Sequence, residues 1–146
     1  MMILLQQVLA AFLGTIAFSL LFGVPRKYYI YCGLVGAVGW LVYSLYFMGF
    51  PGSVTVATFL ATVCVILLSR FFAVWEHCPV TVFLTTGIFP LVPGAGIYWT
   101  SYYLVTNQTD KAQVSGFLAI KMAIAIVLAI VLVFEIPHKF FNLRKK

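Results

Sequence analysis

The chain has 146 residues, of which 64% are hydrophobic, 17% aromatic and 8% charged, with a net charge of +6 and a mean hydropathy of +1.10. No water-soluble core of this length hides so much apolar surface, so the composition excludes a soluble globular domain and describes a lipid-embedded chain. A helix needs about 20 apolar residues to cross the hydrocarbon layer, and the length therefore accommodates about five crossings in an all-α integral membrane protein with one transmembrane domain over residues 1–146.

Punctuation places the crossings. The first runs over residues 3–24 and ends at Pro25 and the pair Arg26 and Lys27. No basic residue precedes its apolar run, which exceeds the length of a signal-peptide core, so it reads as a retained helix. The second covers 28–48 and closes on Gly49-Phe50-Pro51-Gly52-Ser53, a turn sequence. The third covers 54–75, with Arg70 near enough to its end to snorkel toward head groups. After the turn Glu76-His77-Cys78-Pro79 comes a fourth segment over 80–105, then a polar loop from Thr106 to Ser115, a fifth helix over 116–136 and a basic tail over 137–146.

The fourth segment is discontinuous by its own chemistry. Residues 88–99 read IFPLVPGAGIYW, with Pro90, Pro93, Gly94 and Gly96 inside an apolar stretch. Proline lacks the amide proton and clashes with the carbonyl four residues back, and glycine leaves helical angles cheaply. One proline would mean a bend; two, three residues apart and followed by two glycines, favour a helix that opens between Pro90 and Gly96. In hydrocarbon an unpaired backbone group costs several kcal/mol, so such a segment survives only inside protein or beside a cavity. Its exposed dipoles are what secondary transporters use to hold carboxylates and cations. Pro90, Pro93, Gly94, Ala95, Gly96 and Tyr98 are therefore candidate substrate-binding residues, with the amides of Gly94, Ala95 and Gly96 offered to a carboxylate. A packing kink is the competing reading.

Charge gives the orientation, because translocated loops disfavour Lys and Arg. With the amino terminus outside, Arg26, Lys27, Arg70, Lys139, Arg144, Lys145 and Lys146 fall on the cytoplasmic side, Lys111 lies outside and Lys121 sits within the fifth helix. The net positive charge then reports topology and contact with anionic lipids rather than nucleic acid. Tyr28, Tyr29, Tyr31, Trp75, Trp99, Tyr102 and Tyr103 fall near the expected interfaces, as an aromatic belt requires.

Lys121 is the one charge inside an apolar segment, about five residues in from the external end of the fifth helix. Either its stem snorkels to external head groups, or it faces the bundle interior and pairs with an anionic substrate, a freed carbonyl or a partner's carboxylate. Glu135 lies too far along the same helix to be that partner, and is flanked instead by His138 and Lys139. Thr55, Thr58, Thr62 and Ser69 recur at helical spacing on the third segment; they either bond back to their own carbonyls as packing groups or line a polar translocation path. Gly33, Gly36, Ala37 and Gly39 make a smooth face on the second segment that suits close helix packing, whether against this chain, a second copy in a homo-oligomer or a different subunit.

Nothing points to catalysis, a metal or a cofactor. Cys32, Cys64 and Cys78 have no ligand spacing and read as small hydrophobes, with a disulfide at Cys78 disfavoured on the reducing side. His77 and His138 sit at helix ends, where packing is the simpler role. The triplet Asn107-Gln108-Thr109 is too common by chance to carry weight. One Asp and two Glu cannot assemble a nucleophile, base and orienting acid within the membrane.

The run Ile88-Phe89-Pro90-Leu91-Val92-Pro93-Gly94-Ala95-Gly96-Ile97-Tyr98, together with an early Phe-Gly-Val-Pro turn at residues 22–25, resembles the threonine/serine exporter family over essentially the whole chain. The likeness is to the small subunit of its split form, similar to the small member of a two-component succinate exporter. It implies export of small hydrophilic metabolites across a prokaryotic cytoplasmic membrane, with a larger membrane subunit supplying the other half. The alternative is a non-transporting scaffold or assembly subunit whose helix break only accommodates its partner.

Overall fold

A computed structural model describes residues 2–49 and 52–136. Phe50 and Pro51 of the expected turn, and Pro137, His138, Lys139 and the rest of the basic tail, lie outside the described residues. Among the described residues, six α-helices follow in order: α1 (Met2–Leu21), α2 (Tyr29–Gly49), α3 (Val54–Glu76), α4 (Thr81–Gly87), α5 (Gly94–Val105) and α6 (Thr109–Phe134). The protein is all-α. The helices α1, α2, α3 and α6 are each long and apolar enough to cross a membrane, and α4 with α5 forms a fifth candidate span, bent by 47°.

The end of α1 is set by Gly23, whose φ of 66° belongs to the left-handed region, and which lets the amide of Val24 return to the carbonyl of Ser19 at 3.0 Å. Pro25 then opens a single 3-10 turn, Arg26–Tyr28, and α2 runs back along α1. The smooth face of α2 meets helices of this same chain. A Cβ built on Gly33 would lie 2.7 Å from the Phe12 ring, one on Gly36 would collide with Thr15, and one on Gly39 would lie 2.5 Å from a methyl of Val65 on α3. Thr15 and Ser19 tolerate complete burial in this seam because their hydroxyls donate to the carbonyls of Ala11 and Thr15, at 2.7 and 2.8 Å.

The apolar centre lies between α2, α3 and α4, around Cys32, Val35, Val65, Phe83 and Leu91. Tyr28 caps it edge-on to Phe83, ring centroids 5.5 Å apart. A second cluster, Ile66 with Ala129 and Val133, joins α3 to α6.

Two sequence expectations change here. Arg70 does not reach head groups. It is 1% exposed, and its guanidinium donates to the carbonyls of Val133 and Ile136, at 2.7 and 3.0 Å, beside the Phe134 ring. The last carbonyls of a helix have no partner within it, and a cation at that end also complements the helix dipole; α6 ends where α3 can supply one. The polar segment between Thr106 and Ser115 is mostly helix rather than loop. Asn107, at φ 55°, makes a tight turn, and α6 begins at Thr109 with Asp110 in its first turn, where a negative charge is favoured.

The 3-10 turn carrying Arg26 and Lys27, the end of α3 with Arg70, and the end of α6 share one end of the bundle. Cys78 lies there as well, near Lys27 and Tyr28, with burial the main influence raising its thiol above the usual range. Lys111, in the first turn of α6, starts from the opposite end.

Candidate functional site

The break forms where the prolines and glycines require it. α4 ends at Gly87, a 3-10 turn covers Phe89–Leu91, and α5 starts at Gly94 after Val92 and Pro93 in non-helical conformations. The two ends of the break are anchored differently. Phe89 stacks on Phe18 of α1 with ring centroids 4.0 Å apart, and Leu91 is buried in the core. Beyond the break, α5 has no buried residue and packs on α6, with a Cβ on Gly96 falling 3.0 Å from that of Ala119.

Beside the opened backbone lies a hollow of about 350 Å³. Its walls include Pro90 to Pro93, Ala95 and Gly96 from the break, Trp40 and Tyr43 from α2, and Leu118, Ala119 and Met122 from α6. The amide of Gly94, expected to be free for a carboxylate, instead donates to the carbonyl of Val92 at 2.7 Å. The first helical bond of α5 is that of Ile97 to Pro93, so the amides of Ala95 and Gly96 have no acceptor among the described residues. The carbonyls of Pro90 and Leu91 have no donor among those residues either. The segment thus carries unpaired donors and acceptors in residues that line one small, otherwise apolar hollow.

The other expected site residues are scattered. Tyr98 is 62% exposed on the outer side of α5, against Trp99 and away from the hollow's lining. Lys121 is exposed, its ammonium 4.4 Å from the centre of the Phe117 ring. At about 100° per residue it lies on the opposite side of α6 from Ala119, so this chain does not bring it to the break. Thr58 and Thr62 are fully buried and donate to the carbonyls of Val54 and Thr58, at 2.9 and 2.7 Å, and Ser69 does the same to Val65. These hydroxyls are satisfied within α3, and neither they nor Thr55 line the hollow at the break.

Trp40 is the site residue that sequence reasoning missed. Its ring borders the break hollow and two further hollows that share Gln7 as a lining residue, and its indole nitrogen is buried with no hydrogen-bond partner among the described residues. Nothing in the sequence separates this tryptophan from an ordinary apolar helix residue, because what distinguishes it is the return of the chain at Pro90.

The chain matches the family model described as threonine/serine exporter, ThrE, over residues 7–136. It belongs to the threonine/serine exporter family. No solved structure matches it. For a member of this exporter family, a multi-pass bundle of apolar helices is the expected setting, and the matched region contains the whole of the break and its hollow.

Proposed function

We propose that this chain is the membrane subunit of a secondary exporter that moves small hydrophilic metabolites out of a prokaryotic cell across its cytoplasmic membrane, working with a larger membrane subunit. The solutes that suit it are amino acids of the threonine and serine type, or dicarboxylates such as succinate. The observation that carries this reading is the hollow of about 350 Å³ beside a bent, unpaired stretch of backbone. The Ala95 and Gly96 amides supply partial positive charge for a carboxylate, and the Pro90 and Leu91 carbonyls supply acceptors for an ammonium or a hydroxyl. The clustering of Arg26, Lys27 and Arg70 at one end supports a cytoplasmic assignment for that end, with the amino terminus outside.

A scaffold role is the second reading, favoured by the apolar side chains that make up most of the hollow's wall. The test is co-expression of the chain with its candidate larger subunit in cells or vesicles, with efflux of threonine, serine and succinate followed separately. Faster efflux of one of these, dependent on both chains, supports the exporter reading. A stable complex that leaves all three unchanged supports the scaffold.

A further inference from the structure

Lys121 occupies the middle of α6, twelve residues from its start at Thr109 and thirteen from its end at Phe134. That is about 18 to 20 Å from either end. Counted from Gln113, the Cα of Lys121 lies about 12 Å further in, and its side chain turns back one turn toward Phe117, which leaves the ammonium about 6 Å inside that level, among apolar side chains. The surrounding face is apolar and open: Phe117 is 61% exposed, Ile120 58%, Ile124 53% and Leu128 51%. A shallow hollow of about 570 Å³, lined by Gln113, Val114, Gly116, Phe117 and Ile120, adjoins it on the amino-terminal side of Lys121. The Phe117 ring covers one side of the ammonium and supplies no negative charge.

The chain contains three acidic residues in all. Glu76 closes α3, Asp110 is in the first turn of α6 and Glu135 follows its last residue. All three sit at helix ends, so neither this chain nor a second copy in the same orientation brings a carboxylate to the level of Lys121. A lysine left unpaired in hydrocarbon is strongly disfavoured. We propose that the Lys121 face of α6 docks a membrane helix of a different protein that carries an Asp or Glu near its midpoint. The apolar residues above and below the lysine fill the contact, and the ion pair sets its register. Taking the larger exporter subunit as that protein rests on the function proposed above.

The test is co-purification in detergent of the full chain with the larger subunit, for the parent, Lys121→Met and Lys121→Glu, with the helicity of each variant checked by circular dichroism. Facing like charges costs several kcal/mol, so Lys121→Glu should reduce recovery of the larger subunit by more than about tenfold. One Asp or Glu to Lys change at the middle of a helix in that subunit should restore it. Recovery that is unchanged in both variants, absent already in the parent, or lost in Lys121→Glu without rescue by any such change would overturn the proposal. So would a Lys121→Cys variant that cross-links only to a second copy. Efflux separates the two readings: a complex that assembles through Lys121 but exports nothing keeps the interface and removes the exporter, whereas export that survives Lys121→Glu does the reverse.

Discussion

Arg70 shows how one buried cation can be held in a membrane bundle. Its two hydrogen bonds to the carbonyls of Val133 and Ile136 tie α3 to the end of α6, and bonds involving a charged group contribute about 1.5–3 kcal/mol each. Arg70→Met should therefore destabilise the protein by about 3–6 kcal/mol, read as a lower unfolding temperature in detergent, with Arg70→Lys recovering only part because an ammonium cannot span both carbonyls in a fork. Parental melting in Arg70→Met would remove the clamp from the account. The glycines of the break separate in the same way. A Cβ on Gly94 meets nothing within 4 Å, whereas one on Gly96 presses on Ala119. Gly94 does not line the hollow, so Gly94→Val should insert, fold and export as the parent does. Gly96→Val should loosen α5 from α6, visible as a lower unfolding temperature in detergent.

The broken segment behaves as two elements with different attachments. α4 packs among α1, α2 and α3, while α5 packs on α6, so the break joins the compact part of the bundle to a helix pair on its flank. The double variant Pro90→Ala with Pro93→Ala restores two amide donors and removes two clashes, which favours straightening across residues 88–94. Membrane insertion should be unaffected, since the segment stays apolar, and efflux by the complex should fall by about tenfold or more as the hollow closes. Parental efflux from a correctly inserted double variant would show that transport does not use the break. The break itself was legible in the residues 88–99, because proline and glycine act locally on the backbone whatever surrounds them. The identity of its walls was not: Trp40, Leu118 and Met122 lie far away in the chain. The threonines of α3 show the limit from the other side, since helical spacing alone leaves hydroxyls that face a path and hydroxyls bonded to their own helix looking alike.

Across the bundle, charge sorts by end: Arg26, Lys27 and Arg70 at one and Lys111 at the other. In a background with its three cysteines replaced, Lys111→Cys should react with a membrane-impermeant maleimide added outside intact cells, and Arg26→Cys should react only after permeabilisation. The reverse pattern would invert the orientation. An apolar, multi-pass character, the all-helical content, the number of candidate spans and the position of the break follow from the chain alone, because each depends on hydrophobic run length or on the stereochemistry of a few neighbouring residues. Folding settled the matters that depend on pairs distant in sequence: that the glycine face of α2 serves α1 and α3, that Arg70 caps α6 instead of meeting lipid, and that Lys121 turns outward while the break turns toward Trp40. A side chain's direction around a helix is the same in any sequence register until another helix packs against it, and only that packing divides the surface into core, hollow and open face.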